Sequence, residues 1–543
     1  MHTYESLDNQ FNIGFHCTTA QCEAGRGDKV AMRWLSSTME RTDYTFSDLD
    51  RNSNKFANVL TTLGFQSGEI FFTFLPKATE QFFAFLGALK AQVVCGTLFA
   101  NFGEEALLDR LGDSRARGVI TKKHFLKKIL RIRDKLPALE YIILVDSDEH
   151  QENGVLSYVK LMADASDAFV VKPTGPEIPS VLHYTSGSTG KPKGVLHHHR
   201  TLISQSYTAT VVLNLKDDDL FWCTADQGWV TGTSYGIIGP WSLGITQVHF
   251  AGGYDAQEWF TLLEREGVTV WYSAPTALRM LMRESDDLYC KFDLSRLRHI
   301  YSVGEPLNPE VIYWSRRVLD HEIYDTWFQT ETGAIMICNR PGVEVRPGSM
   351  GTPIPGIEPA ILGDDGSPIA DGEQGNLCVK VGWPSMFATY LNNESAYLSK
   401  FREGWYYTGD TARRDDDGHY WFMGRSDDVI NTAGHLLSPF EVESALLEIP
   451  EIVESGVIGA PDELLFEKVV AFIALKEGVE YTTALELKIR LYISNKVSSI
   501  ATPQEIRVLE RIPKNKSGKI MRRVLKATYL GMEPGDISTL EDH

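Results

Sequence analysis

Eleven consecutive residues constrain this chain more than any others: Tyr184-Thr185-Ser186-Gly187-Ser188-Thr189-Gly190-Lys191-Pro192-Lys193-Gly194. They follow a short apolar run over residues 180–183 that reads as a strand end. The three glycines allow tight turning and close approach to a ligand. The hydroxyls of Thr185, Ser186, Ser188 and Thr189, with successive backbone N–H groups, can ring an anion. Lys191 and Lys193 add positive charge. The stretch reads as a loop that wraps a polyphosphate. A flexible Ser/Gly linker fits less well, because two lysines and a proline stand behind the Gly/Ser/Thr block. A Walker A element is excluded: Thr185 stands where its first glycine is needed and Pro192 where its Ser or Thr is needed.

At 543 residues the chain is too long for one core, so two or more domains are expected. A formal net charge of −19 and the lack of a long basic run argue against a nucleic-acid partner. Seven cysteines without a CxxC pair read as reduced thiols of a cytoplasmic protein. Residues 1–10 are polar and acidic, unlike a signal peptide. The most apolar region, 69–102, is broken by Lys77, Glu80 and Lys90, so no transmembrane segment is expected.

From 30 to 175, strand and helix signals alternate. A helix running to residue 63 carries Phe56, Val59 and Leu60 on one face. Strands are expected over 70–75, 92–99 and 141–145, with a helix over 80–91. This alternation predicts parallel sheets covered by helices. His197-His198-His199 suggests a metal site, but consecutive side chains diverge, so a structural role is the better reading. Asp226-Gln227-Gly228-Trp229-Val230-Thr231-Gly232 through Gly236 reads either as a loop lining a cavity or as a bulged strand. Strands expected over 268–272 and 298–303 end in polar or Gly/Pro loops, the second being Gly304-Glu305-Pro306-Leu307. Asp325-Thr326-Trp327-Phe328-Gln329-Thr330-Glu331-Thr332-Gly333 follows another strand signal. Ligands of open α/β sheets sit beyond such strand ends. Asp415-Asp416-Asp417-Gly418 reads as a solvated hairpin turn, too short of ligands for calcium. A helix start stands at Ser438-Pro439, with Glu441 at its third position. On composition alone, residues 512–520 are a basic surface loop.

Together these segments resemble the adenylate-forming superfamily of acyl-CoA synthetases, luciferases and peptide-synthetase adenylation domains. The resemblance runs from about residue 30 to 530. Trp229-Val230-Thr231-Gly232 is similar to the acyl pocket of the AMP-forming acetyl-CoA synthetases. The resemblance implies an α/β fold. A large N-terminal domain (1–424) would have stacked, mostly parallel sheets with helices and a small β-rich subdomain. A hinge (425–428, with Asp427) would lead to a small mobile α+β domain (429–543). It implies ATP and AMP binding by Thr185 through Gly190, Lys191, Lys193, Gly304, Glu305, Pro306, Asp325, Thr326, Trp327 and Thr330. Asp410, of Tyr407-Thr408-Gly409-Asp410, and Arg425 would take the ribose. Glu331 would hold Mg²⁺, and Thr330 would meet the α-phosphate. Lys519, in Pro513-Lys514-Asn515-Lys516-Ser517-Gly518-Lys519, would orient the attacking carboxylate. The acyl pocket would be Trp229, Val230, Thr231, Val303 and Phe328, and CoA would meet Gly434 and His435.

The implied reaction converts a small carboxylate, ATP and CoA to a thioester, AMP and diphosphate through an acyl-adenylate, in a monomer or homodimer. Acetate is the expected acid and propionate the second. The alternative within the family is a longer, branched, aromatic or alicyclic acid. Outside it stand a phosphotransferase releasing ADP and a non-catalytic binding protein; the latter would have lost Lys519 or Glu331. Three positions depart from the family pattern: Phe328 for a second tryptophan, Leu436 for an arginine, and Phe466-Glu467 for a Gly-Glu or Gly-Gln pair.

Overall fold

Two largely parallel sheets follow from the alternation in the sequence. The computed structural model describes residues 10–185, 191–425, 428–432, 435–462, 465–515, 518–535, 537 and 540. One sheet runs through Thr246–Phe250, Leu220–Cys223, Val270–Ser273, His299–Val303 and Ile323–Trp327, all parallel to their neighbours. The other has Val94–Leu98, Ile70–Phe74, Gly118–Thr121 and Tyr141–Leu144 as its parallel centre. Pro179–Thr185 pairs parallel to Val94–Leu98 and antiparallel to Lys193–His198. These strands are buried on both faces, which explains their nearly continuous apolar sequence.

Helices Phe46–Thr62 and Thr79–Lys90 fill the space between the sheets. Their Phe56, Phe82 and Phe85 share one core with Met32 and Trp241 on one side and Phe71, Cys95 and Ile120 on the other. Thr45 caps the first helix and makes a reciprocal bond with Asp48, the capping box its sequence spells. Lys90 is almost wholly buried in this layer. Its ammonium donates to Asp50 and Asn54, at 2.8 and 2.6 Å, so the buried charge is paired.

A smaller antiparallel sheet carries Gly375–Lys380, Trp405–Arg414 and Tyr420–Arg425. Its turn at 415–418 is the expected hairpin turn, with Asp416 and Asp417 exposed, and it is anchored from outside. Arg346 ion-pairs with both Asp415 and Asp417. Desolvation would raise the Asp415 pKa, but bonds from Trp421, the His419 amide and Arg346 outweigh it and hold it at about 2.

Residues beyond 428 build a separate sheet from Ile430–Thr432, Ile452–Asp462, Phe466–Leu475 and Glu505–Val508. Helices Pro439–Leu447 and Thr483–Lys496 share its core through Val442, Leu446, Ile489 and Ile493. Ser438 caps the first of these by accepting the Glu441 amide. Among the described residues, no helix is long and apolar enough to cross a membrane.

Candidate active site

The sheets place their loops on one side. Strand Leu220–Cys223 delivers the turn at Asp226, Val270–Ser273 delivers helix Pro275–Leu281, and His299–Val303 delivers Gly304-Glu305-Pro306. Ile323–Trp327 runs into Phe328 and Glu331. All leave the carboxyl ends of parallel strands, where α/β sheets gather ligands.

The turn from Thr330 to Gly333 is held by its own backbone. Thr330 O accepts from His197 Nε2 (2.7 Å) and Glu331 O from the Phe387 amide (3.0 Å). Thr332 O accepts from Trp383 and Ser385, and Gly333 O from Gln205 and Ser234. A carbonyl only accepts, so Nε2 of His197 carries the proton. Burial draws the His197 pKa down to about 4, keeping the ring neutral. Gly333 has φ of +72°, and a Cβ there would stand 2.6 Å from Ser385 O. This turn admits glycine alone.

Around it lies a charged cluster. Asp410 is 3 % exposed; its Oδ2 accepts from Trp327 Nε1 and Gln329 Nε2, at 3.1 and 2.9 Å. Among the described residues its Oδ1 has no hydrogen-bond partner, with Arg425 3.4 Å away as an ion pair. A buried carboxylate oxygen left open is suited to a diol hydroxyl. Glu331 Oε1 accepts from Tyr390 O–H at 2.8 Å, leaving the second oxygen for a hard cation. Among the described residues, no three His, Cys, Asp or Glu side chains gather into a metal cage. An ion at Glu331 would take its other ligands from water or from a bound substrate.

Lys519 arrives from the C-terminal unit. The loop is closed by Gly518 N donating to Asn515 O (2.7 Å) and Lys519 N donating to Asn515 Oδ1 (2.9 Å). Lys519 is exposed. Desolvation first, and then Arg425, lower its pKa, while Asp410 and Asp428 act the other way.

Sequence reasoning missed Lys400, Tyr390 and Gln329. Lys400 is half-buried, its pKa lowered by desolvation, and it lies in the field of Glu331, Arg425, Lys193 and Asp410. Its segment has no local pattern that marks it. Gln329 lies inside the Asp325–Gly333 motif; its amide bridges Asp410 and Tyr406.

Thr185 and Lys193 pair across the hairpin that carries the Gly/Ser/Thr loop, and Lys193 lies 5.5 Å over the Tyr390 ring; Lys191 is exposed. Residues 186–190, Asp427 and Gly434, and the side chains of His435 and Leu436, lie outside the described residues. Gly304 is exposed at φ +95°, Glu305 ion-pairs with Arg279 at 2.6 Å, and Pro306 is half-buried beside them. Asp325 is buried, and desolvation pushes its carboxyl well above the ordinary range. Thr326 turns inward: its hydroxyl donates to Ser302 O and accepts from Tyr272, so the side chain does not join the cluster.

The acyl-pocket candidates divide between two walls. Trp229 packs on Phe99 at 4.9 Å between ring centres. Phe328 meets Tyr235 edge-on at 5.5 Å, in the core that holds Val303. Neither Phe99 nor Tyr235 was singled out by sequence. The Gly-rich stretch is a turn only to Trp229. From Val230 it is helical through Ser242, with a wide π turn at Ser234–Ile238, which corrects both the loop and the bulged-strand readings. Its glycines serve close packing: a Cβ on Gly232 would stand 2.1 Å from Asp226 O. Thr231 is buried in that first turn with Val230 beside it.

The three histidines do diverge. His197 supports Thr330, His198 faces Glu177, and His199 Nδ1 accepts the Ile13 amide. Phe466 is 70 % exposed with φ of +70°, a conformation that glycine adopts without strain. Glu467 pairs with Lys526 and accepts the Asn431 amide.

Comparisons with known proteins agree with this geometry. Residues 19–391 match the AMP-binding enzyme family and 441–519 match the AMP-binding enzyme C-terminal domain. An acetyl-coenzyme A synthetase of Bacillus subtilis (strain 168) is 45% identical over 98% of this chain and 93% of its own. One of Pyrobaculum aerophilum is 36% identical over 99% and 86%. The crystal structure of the anthranilate CoA ligase AuaEII with anthranoyl-AMP superposes with a TM-score of 0.88 at 29% identity, covering 97% of this chain and 98% of that one. A benzoate CoA ligase from Burkholderia xenovorans LB400 gives 0.84 at 26% identity, covering 95% and 99%. Family matches along most of the chain, and likeness to these relatives from end to end, make this protein a member of the AMP-binding, adenylate-forming enzymes.

Proposed function

We propose that the chain is an AMP-forming acetyl-CoA synthetase. A carboxylate oxygen of acetate attacks the α-phosphorus of ATP. The bond to the bridging oxygen breaks, and diphosphate leaves acetyl-adenylate behind. The CoA thiol, losing its proton, then attacks the acyl carbon, and AMP departs with the electron pair of the broken C–O bond. The observation that carries this reading is that Lys519 lies in the electrostatic field of the Arg425–Asp410 pair, and Asp410 is bonded to Trp327 and Gln329 just before the Thr330–Gly333 turn. Asp410 Oδ1 and Arg425 hold the ribose, and Thr330 faces the α-phosphate. The Lys519 ammonium steadies the incoming carboxylate and the charge that develops on phosphorus. Glu331 would hold Mg²⁺, which when bound neutralises phosphate charge. The glycine-rich loop after Thr185, with Lys191 and Lys193, cradles the phosphates, while Gly304, Glu305 and Pro306 line the adenine side.

Residues 1–424 bind nucleotide and acid. Residues 425–428 hinge, and the unit from 429 onward turns between the two steps, bringing Gly434 and His435 to CoA. The enzyme works in the cytoplasm as a monomer or homodimer. Phe328 and Trp229, braced by Tyr235 and Phe99, leave room for acetate first and propionate second. The structural likeness to benzoate and anthranilate CoA ligases favours a second reading, an aromatic acid. Diphosphate release across acetate, propionate, butyrate, hexanoate and benzoate separates the two. Acetate should give the highest kcat/KM; a preference for hexanoate or benzoate overturns the acetate reading.

A further inference from the structure

Building on the proposed synthetase reading, we infer that Thr276 is a positioning residue whose single hydroxyl proton links the Glu305 loop to the seating of the Lys519 loop. Thr276 opens helix Pro275–Leu281, just past the end of strand Val270–Ser273. Its Oγ1 lies 2.9 Å from Glu305 Oε2 and 3.1 Å from Gly518 O. Arg279 donates to the same Oγ1 at 2.6 Å and to Glu305 Oε2 at 2.6 Å. A hydroxyl has one proton to give. The Gly518 carbonyl and the Arg279-bound carboxylate both only accept, so Thr276 serves one of them at a time.

Gly518 is pressed against this side chain. A Cβ there would fall 2.1 Å from Thr276 Oγ1, and its φ is +86°. Gly518 precedes Lys519, so the depth at which Gly518 seats sets the reach of the Lys519 amine. With Gly518 seated, the proton can pass to its carbonyl. With Gly518 withdrawn, it belongs to Glu305 Oε2. Neighbouring contacts cross the same interface. Arg279 donates to Asn308 Oδ1, and Asn308 Nδ2 to Ser444 Oγ, each at 3.0 Å. Arg283 donates to Val453 O at 2.9 Å and pairs with Glu454, which in turn pairs with Lys514. Helix Pro275–Leu281 and its flanks therefore form a latch that favours the conformation in which Lys519 is delivered.

The test measures two half-reactions on the full chain: acetate-dependent exchange of diphosphate into ATP, and thioester formation from supplied acetyl-adenylate and CoA. Thr276→Val should slow the exchange about 3–10-fold, the worth of one hydrogen bond, and leave thioester formation equal or faster. Thr276→Ser should restore the exchange. Arg283→Ala, at the solvent-exposed rim, should produce the same split more weakly, and it stands in if the valine variant does not fold. Equal loss of both half-reactions, or no change in either, overturns the latch. If the unaltered chain exchanges with an acid other than acetate, the acetate reading falls while the latch is tested with that acid. If it exchanges with none, both fall.

Discussion

The turn from Thr330 to Gly333 and the turn from Asn515 to Lys519 both carry groups proposed to be catalytic, and they are held by opposite means. In the first, each of four successive carbonyls is bound by a group from the same large unit. The turn is fixed before any ligand arrives, which is what electrostatic stabilisation requires. In the second, Asn515 organises the loop from within. The large unit touches Gly518 through Thr276 and otherwise reaches the C-terminal unit through contacts such as those of Asn308 and Arg283. In the proposed reading, one half of the site is built in advance and the other depends on how the C-terminal unit docks. The proposed two-step reaction would use this asymmetry, because an amine that assists the first step must leave room for a thiol in the second.

The comparison breaks most sharply at Lys519. Lys519→Ala should slow adenylate formation about 10²–10³-fold, the usual worth of one positioned charge, and spare thioester formation from supplied acetyl-adenylate. Equal loss in both would mean that Lys519 serves the fixed half as well.

Gly333→Ala attacks the fixed half. The added Cβ meets Ser385 O and the His197 ring, at 2.6 and 2.9 Å. Moving the turn by about 1 Å should cost on the order of 10²-fold in adenylate formation. Strain at the positive φ should also lower unfolding stability by about 1–3 kcal/mol in urea titrations. An alanine variant with unchanged activity and stability would show that the turn yields.

Phe328→Gly sharpens the picture of the pocket. Removing the ring from its contact with Tyr235 should shift kcat/KM toward butyrate and hexanoate relative to acetate. About 1–3 kcal/mol per methylene makes the shift graded. An unchanged acid ranking would put the boundary of the pocket elsewhere.

The smallest effect is on stability against pH. His197 has a folded pKa of about 4, below its ordinary 6.5. Between these values the unfolded chain binds the proton and the folded chain does not. The neutral ring's contribution is therefore present above pH 6.5 and is lost as pH falls toward 4. His183, His199 and His249 are shifted in the same direction by burial. Stability from urea titrations should decline across that window, and His197→Gln should flatten the slope. An identical slope in the variant would mean that His197 is protonated in the fold.

Local sequence carried what depends on neighbours in the chain. The strands at 70–75 and 298–303 and the cap at Ser438 are visible as period and pattern. So are the loops that end the strands. What it could not carry depends on distant segments. Lys400 and Tyr390 enter the cluster only because their stretch folds back over Glu331. Residues 226–236 read as a cavity-lining loop or a bulged strand because glycine usually marks one. Here the glycines let a helix press against Asp226 O and Gln205 O, and that pressing is visible only once the sheets are assembled. Thr326 was misleading for a similar reason: strand alternation turns its hydroxyl inward while Trp327 reaches Asp410.

Amide hydrogen exchange, compared between the two turns, tests the asymmetry most directly. It should be read on the free protein, with acetyl-adenylate, and with AMP and CoA together. The amides of Thr332 and Gly333, both bonded to Gln329 O, should keep the same protection in all three states. The amides of Gly518 and Lys519 should gain protection with acetyl-adenylate and lose it with AMP and CoA. If the two turns change together, or if Gly518 and Lys519 do not respond, the division into a fixed half and an arriving half is contradicted.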